Sequence, residues 1–322
     1  ARRRRAETCP AGRPTGGNVL MRAVERPPAL SLLLPFVLVS FAANSLITRY
    51  IVRDNLLDAG LLTAVRFVAG AAALVLLSIA RHQRVRVGRA NLRPALWLGI
   101  YAVCISYGYR HIGAAAGTFV FYAAVLLTLV VDDRRRGTRL PARRLLGAGV
   151  ALAGIAVLAS VSVGTVTPQG VGLLVATGVA WGLYTAAGRA AVDPSTATTG
   201  HFTLLAGVLL LPAGAGLATG LHVTAEGMGW AVVMGAGTTA FAYVAWYACQ
   251  RVLTGAQAGL VQLVIPVLTT VGAVALLGEP LSARLLVAAA LVGAGMFLGR
   301  AAPASPSSVN RSATPAHGRL RR

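Results

Sequence analysis

The sequence contains no lysine, although it is 322 residues long and carries a formal net charge of +21 at pH 7. Its 30 Lys/Arg residues are all arginines, against nine Asp and Glu residues. Charged residues make up only 12% of the chain and hydrophobic residues 56%, whereas soluble domains have about 25% charged residues. This composition excludes an ordinary soluble enzyme and an intrinsically disordered chain, and it predicts a polytopic membrane protein.

Cysteine is also scarce. The three cysteines, Cys9, Cys104 and Cys249, are an odd number without metal-ligand spacing. Cys104 and Cys249 lie in apolar runs, where cysteine behaves as a small hydrophobic residue. The sequence therefore predicts no disulfide framework, no metal or thiol-redox site and no cofactor.

Long apolar runs, bounded by charged residues, glycine or proline, are abundant. A membrane-spanning helix needs about 20 apolar residues, and the runs predict ten such helices. An all-α membrane protein is therefore expected. The predicted spans are 30–50, 59–80, 94–110, 112–131, 145–162, 168–188, 198–218, 227–248, 254–277 and 283–300.

The arginines gather on one side of these spans. Twenty-five lie in the two tails and in the junctions that follow even-numbered spans, whereas the opposite side has only Arg49, Arg53, Arg110 and Arg284. By the positive-inside rule both termini are cytoplasmic, in a multi-pass protein of the plasma (inner) membrane. Residue 138 is then inside and residue 165 outside. Arginines that lie in the loops on one side of a membrane indicate its topology and not a phosphate-binding surface. No nucleic-acid partner is therefore expected.

The two ends of the chain are polar. Residues 1–29 are predicted to be a basic, disordered cytoplasmic tail, with Met21 as an alternative start, and residues 301–322 a second disordered cytoplasmic tail. The run from Ala29 also fits a signal peptide with Ser40 and Ala42 as the small residues before cleavage. Cleavage there would delete most of the first span.

An internal repeat has a period of about 140 residues. The segment from Tyr101 to Gly117 aligns with that from Tyr243 to Gly259, and Leu140-Pro-Ala-Arg aligns with Leu281-Ser-Ala-Arg. The repeats, 30–162 and 168–300, each contain five spans. An odd number inverts the second repeat in the membrane, an architecture typical of secondary transporters.

Several motifs in order resemble one family. They are Asn44, Leu61-Leu-Thr-Ala-Val-Arg66-Phe67, Gly255-Ala-Gln-Ala-Gly-Leu260, Ile265-Pro-Val-Leu268 and Leu277-Gly-Glu-Pro-Leu281. Over about 30–300 the chain resembles the EamA-type members of the drug/metabolite transporter superfamily. The resemblance implies a ten-span permease that moves a small organic metabolite, an amino acid or related compound, by alternating access, with export favoured over uptake.

The first repeat departs from this pattern. Ala124 stands where the second repeat has Pro266, and Thr138 stands where it has Glu279. The fourth span therefore lacks the proline and ends early in a charged loop, which argues against strict functional symmetry of the halves.

A solute cavity needs a few convergent polar groups and aromatic surfaces. The candidate substrate-binding residues are Asn44, Tyr101, Tyr107, Trp181, Tyr184, Tyr243, Trp246, Gln257 and Gln262. Helix packing or an interfacial aromatic belt is the alternative for the aromatic members. Arg66, Pro266 and Glu279 are candidate gating or structural residues; Arg66 is a snorkelling or helix-linking arginine, a gate, or a partner for a substrate carboxylate.

No carboxylate is predicted near the membrane midplane, which argues against a carboxylate-coupled cation antiporter. The expected partners are a small-molecule solute and the lipid bilayer, and the oligomeric state stays open. No catalytic motif is found, so an enzyme is not expected. An integral-membrane enzyme and a non-transporting scaffold or sensor remain alternatives.

Overall fold

The computed structural model describes residues 27–138, 140–159, 167–218, 220–281 and 283–299. These residues are helical apart from turns and one isolated β-bridge. The helices are α1 Pro27–Arg53, α2 Ala59–Ala80, α3 Arg89–Gly108, α4 Ala114–Arg135, α5 Ala142–Ala159, α6 Pro168–Gly188, α7 Pro194–Ala218, α8 Ala225–Val233, α9 Ala242–Gln250, α10 Gly255–Gln262, α11 Val264–Leu277 and α12 Ala283–Gly299. Residues 27–29 of the predicted N-terminal tail form the start of α1, whereas residues 1–26 and the predicted C-terminal tail lie outside the described residues.

Within the described residues, six helical stretches are long and apolar enough to cross a membrane. They are Leu32–Arg53, Ala59–Ala80, Ala114–Arg135, Pro168–Gly188, Ala225–Gln250 and Gly255–Leu277. The other predicted spans are helical as well, as α3, α5, α7 and α12. Helices α2 and α6 begin and end at the predicted residues, and α3 and α4 are separate helices joined through residues 109–113.

Side chains next to the helix cap several helix starts. The Asp58 carboxylate accepts from the Gly60 amide at 2.8 Å and caps α2, while the Thr224 hydroxyl accepts from the Gly227 amide at 3.0 Å and caps α8. Each side chain satisfies an amide that has no partner within its helix. Helix α11 ends at Gly278, whose φ of 64° lies in the left-handed region where glycine is favoured.

Two predicted spans are not continuous α-helices. A π-helical segment, Met234–Phe241, joins α8 to α9. The ninth predicted span is divided at Leu263 between α10 and α11, with Pro266 in the first turn of α11. Proline has no amide hydrogen to donate to the carbonyl four residues earlier, at Gln262, so the hydrogen-bond ladder is interrupted where the helix divides.

Helix packing is alike in the two halves of the chain. Helices α3 and α4 pack against α6, while α9 and α11 pack against α1. Other contacts join corresponding helices: α2 with α7, α4 with α10 and α11, and α5 with α12. Small residues allow close approach, as at Gly178 of α6, which faces the carbonyl oxygen of Phe121 in α4.

The described loops meet at two ends of the helical bundle. At one end, Leu57 and Val223 form the isolated bridge, and the Thr167 amide donates to the His111 carbonyl at 3.4 Å. We call this the Arg-poor end, because its loops follow odd-numbered predicted spans and those loops contain few arginines. The Arg-rich end has the loops after α2, α4, α6 and α9, and there Arg189 pairs with Asp133.

Candidate functional site

A small cavity lies among α1, α3, α4, α6 and α9 at the centre of the bundle. Its volume is about 10 Å³, about the space that one water molecule requires. Both predicted repeats contribute side chains to its wall. The lining residues are Phe41, Asn44, Ser45, Tyr101, Phe121, Tyr122, Trp181 and Tyr243.

Asn44 joins α1 to the π-helical segment. Its side-chain amide donates to the Thr238 carbonyl at 3.0 Å, and its oxygen accepts from the Thr238 and Thr239 hydroxyls at 2.7 and 3.1 Å. Asn44 is only 3% exposed. A buried amide without such partners would be destabilising, so these bonds fix the orientation of Asn44 at the cavity wall.

Aromatic rings form most of the cavity wall. The Tyr101 and Trp181 ring centres are 4.9 Å apart, and those of Trp181 and Tyr243 are also 4.9 Å apart. Phe41 packs edge-on against Trp181 at 5.2 Å. The Trp181 indole donates to the Gln262 side-chain oxygen at 2.6 Å, which ties the ring of α6 to the end of α10. The result is an apolar, rigid surface with few polar groups.

The structure brings four of the predicted binding residues to the cavity wall: Asn44, Tyr101, Trp181 and Tyr243. Gln262 supports the wall through its bond to Trp181.

The other predicted binding residues lie away from the wall. Tyr184 and Trp246 lie in a neighbouring layer towards the Arg-rich end, where the Trp246 indole donates to the Thr185 hydroxyl at 3.2 Å. Tyr107 is 37% exposed. Gln257 reaches back to the Thr254 amide at 2.9 Å and helps to cap α10.

Arg66 lies in α2 and is completely buried. Its guanidinium carbon is 4.8 Å from the centre of the Phe67 ring and 5.7 Å from that of Tyr101. Within the described residues, none of its three guanidinium nitrogens has a hydrogen-bond partner. Since Tyr101 also lines the cavity, a single aromatic ring lies against both the cavity and this buried charge.

At the Arg-poor end of the bundle, Glu279 contacts both α4 and α1, and we call this group of contacts the Glu279 junction. Its carboxylate accepts from the Ala114 and Ala115 amides at 2.9 and 3.3 Å, at the N-terminus of α4. The Arg49 side chain of α1 approaches the same carboxylate, with Nε at 3.6 Å, and also donates to the Tyr109 carbonyl at 2.7 Å. Negative charge at a helix N-terminus is stabilised by the unpaired amides and the helix dipole.

The Asp133 junction has the same design at the Arg-rich end. Asp133 accepts from the Gly255 and Ala256 amides at 3.2 and 2.7 Å, at the N-terminus of α10. Arg189, at the end of α6, donates to Asp133 at 2.6 Å and also pairs with Asp132. Each junction therefore joins an acidic residue of one predicted repeat to an arginine and a helix N-terminus of the other.

Sequence reasoning missed the Asp133 junction. Alignment pairs Glu279 with Thr138, but Asp133, which stands earlier in the chain, makes the equivalent contacts. Thr238 and Thr239 were also missed as partners of Asn44. Two features of the sequence could have indicated these contacts. Asp133 stands at the end of one apolar run, and the adjacent Thr238 and Thr239 stand within another.

All seven described carboxylates lie at helix ends or in loops: Asp54, Asp58, Asp132, Asp133, Asp193, Glu226 and Glu279. Two hydrogen bonds from Arg53, at 2.6 and 3.0 Å, lower the pKa of the Asp54 carboxyl. Asp54 therefore stays ionised near neutral pH. In the part of the chain that the structure describes, no group of three or more His, Cys, Asp and Glu side chains is arranged to hold a metal ion.

The EamA-like transporter family model matches residues 168–299. An uncharacterized protein of Pseudomonas aeruginosa is 36% identical over 269 residues, covering 83% of this chain and 93% of that protein. An uncharacterized transporter of Archaeoglobus fulgidus is 24% identical over 204 residues, covering 62% of this chain and 73% of that transporter. A solved crystal structure with 20% identity and a TM-score of 0.67, covering 84% of this chain and 97% of its own, has a similar fold.

Proposed function

Because this chain belongs to the EamA-like transporter family, we propose that it is a permease that moves a small organic metabolite across the plasma (inner) membrane by alternating access. The proposed solute is an amino acid or a related compound, and the proposed direction is export. The observation that carries the proposal is the central cavity, which is lined from both repeats and lies between two junctions of similar design.

The proposed architecture is ten spans in two inverted repeats of five, with both termini in the cytoplasm. The similar packing of α4 on α6 and of α11 on α1 supports the repeat. The two junctions support the inversion, because one lies at the Arg-poor end and the other at the Arg-rich end. The Arg-rich end is then cytoplasmic.

In the proposed mechanism the two junctions open in turn. A cavity of about 10 Å³ is too small for an organic solute, so in this mechanism the structure would be assigned to an occluded state. Opening the Asp133 junction would admit the solute from the cytoplasm, and opening the Glu279 junction would release it outside. The break at Leu263 and the π-helical segment are the places where the helices bend with least loss of hydrogen bonding.

Flux across a membrane tests the function directly. Purified protein in liposomes should exchange radiolabelled solute in counterflow, using a panel of amino acids and related acids. Protein-free liposomes are the control. Absence of counterflow for the whole panel would overturn the permease proposal and leave the integral-membrane enzyme and the scaffold or sensor as alternatives.

Counterflow should continue when a protonophore collapses the pH gradient, because every described carboxylate lies at a helix end or in a loop. Glu279→Gln should retain more than about a tenth of the flux, since a partly exposed junction contributes less than about 1.4 kcal/mol. If the protonophore abolishes solute accumulation and Glu279→Gln has the same effect, transport is coupled through a carboxylate.

Single-cysteine labelling tests the orientation. Residue 165 lies outside the described residues, so His222, which is exposed at the Arg-poor end, serves in its place. After the native cysteines are replaced, His222→Cys should react with an impermeant maleimide added outside intact cells, and Thr138→Cys only after permeabilisation. The reverse pattern would contradict the proposed orientation and, with it, the direction in which the two junctions open.

A further inference from the structure

Arg66 is a charged residue within α2 that donates no hydrogen bond to any residue that the structure describes. Its side chain is completely buried, and among the described residues no acceptor reaches Nε, Nη1 or Nη2. The ion pairs formed in that part of the chain involve other arginines. Burying an ionised group without a partner is strongly unfavourable, and arginine does not escape by losing its proton.

The aromatic contacts offset only part of this cost. The guanidinium lies over the Phe67 and Tyr101 rings at 4.8 and 5.7 Å, which provides cation–π attraction. Ring faces leave the five N–H donors of the guanidinium unused. The donors therefore have capacity for an anionic acceptor.

A purely structural role explains this geometry less well. A snorkelling arginine would place its guanidinium in water or among lipid headgroups, whereas the Arg66 side chain has no exposed surface. An arginine that ties helices together would donate to backbone carbonyls, as Arg49 does to Tyr109 at 2.7 Å. Arg66 has neither arrangement among the described residues.

Arg66 is also connected to the cavity. The Tyr101 ring contacts the guanidinium and also lines the cavity. The Tyr243 hydroxyl, at the same cavity, is a second buried donor that has no hydrogen-bond partner among the described residues, and the Tyr243 ring centre is 6.4 Å from that of Tyr101. A planar guanidinium and a nearby hydroxyl are suited to the two oxygens of a carboxylate.

We infer that Arg66 binds the carboxylate of the transported solute, and that the solute is a small monocarboxylate with an apolar body. This inference rests on the proposed function and specifies its substrate. The Tyr101, Trp181 and Tyr243 rings supply the apolar surface. Among the described residues that line the cavity, none is acidic, so an ammonium group on the solute would gain no carboxylate partner. The carboxylate is required and the amine is not.

The test compares 3-phenylpropionate, its neutral amide 3-phenylpropanamide, and phenylalanine, in binding and in counterflow with the reconstituted protein. Wild-type protein should prefer the acid to the amide by at least tenfold, because a charged hydrogen bond is lost in the amide. Arg66→Gln should weaken acid binding at least tenfold and leave amide binding unchanged. Arg66→Lys should restore part of the preference, since it keeps the charge but not the bidentate geometry.

Arg110→Gln is the matched control, because Arg110 is 43% exposed and lies 3.9 Å from Asp58, away from the cavity. It should leave both ligands unaffected. If Arg66→Gln fails to fold, the acid-to-amide ratios of wild type and Arg66→Lys decide the question. Equal binding of acid and amide, binding of neither, or an unchanged ratio in Arg66→Gln would overturn the role of Arg66.

The two proposals fail differently. Transport of panel solutes without preference for the acid would leave the permease intact and refute the carboxylate site. Acid binding that depends on Arg66, with no counterflow of any solute, would support the site and refute the permease.

Discussion

Asp133→Asn is expected to lower the free energy of unfolding by about 3 kcal/mol, because it breaks a buried ion pair that also caps a helix. Asp133 is 1% exposed and accepts from Ala256 and Arg189 at 2.7 and 2.6 Å. The NH₂ group of asparagine would face either the Ala256 amide or the Arg189 guanidinium, both of which are hydrogen-bond donors. Arg189 would keep Asp132 as its ion-pair partner. That remaining partner sets the effect at the lower end of the range for a broken buried pair.

Asp58→Asn is the matched control for this change. Asp58 caps α2 within its own segment, with a bond to the Gly60 amide at 2.8 Å, and asparagine is about as good as aspartate at this position. The control should differ from wild type by less than about 0.5 kcal/mol. Unfolding by SDS titration in mixed micelles measures both variants. Equal stability of the two variants would show that the Asp133 junction does not hold the repeats together.

Asn44→Leu is expected to reduce counterflow at least tenfold and to lower the free energy of unfolding by about 2 kcal/mol. Leucine fits the position in size but leaves the Thr239 hydroxyl and the Thr238 carbonyl without their partner in α1. Each buried polar group left without a hydrogen bond destabilises a protein by about 1–3 kcal/mol. Hydrogen bonds between helices in a membrane contribute at the lower end of this range. Flux is expected to fall as well as stability because Asn44 also lines the cavity.

Thr48→Val is the control for the Asn44 variant, one turn further along α1. The Thr48 hydroxyl donates to the Asn44 carbonyl within its own helix at 2.7 Å and makes a weaker contact with the Met234 sulfur at 3.7 Å. Valine keeps the shape of threonine. Loss of that hydroxyl should change stability by less than about 1 kcal/mol and leave most of the flux. A similar loss of flux in both variants would mean that α1 tolerates no change here, and that Asn44 has no special role.

The positions of the helices can be predicted from sequence, because helix formation depends on neighbouring residues. A continuous apolar run must form a helix in lipid to satisfy its own backbone groups. Caps such as Asp58 and breaks such as Pro266 act within a few residues. For this reason α2 and α6 begin and end where the apolar pattern predicts. The family motifs from Asn44 to Leu281 can likewise be recognised in the sequence.

Which polar groups come into contact depends instead on how the helices pack together. Tyr107 and Trp181 look alike in sequence as aromatic residues in apolar runs, yet one is 37% exposed and the other lines the cavity. Asp133 reaches the N-terminus of α10, 122 residues away in the chain, and its register differs from that of Glu279. Such contacts depend on helix rotation and tilt, which follow from the packing of small residues across the bundle, as at Gly178. Among the described residues no group accepts a hydrogen bond from Arg66, and this too depends on which side chains the other helices bring near it.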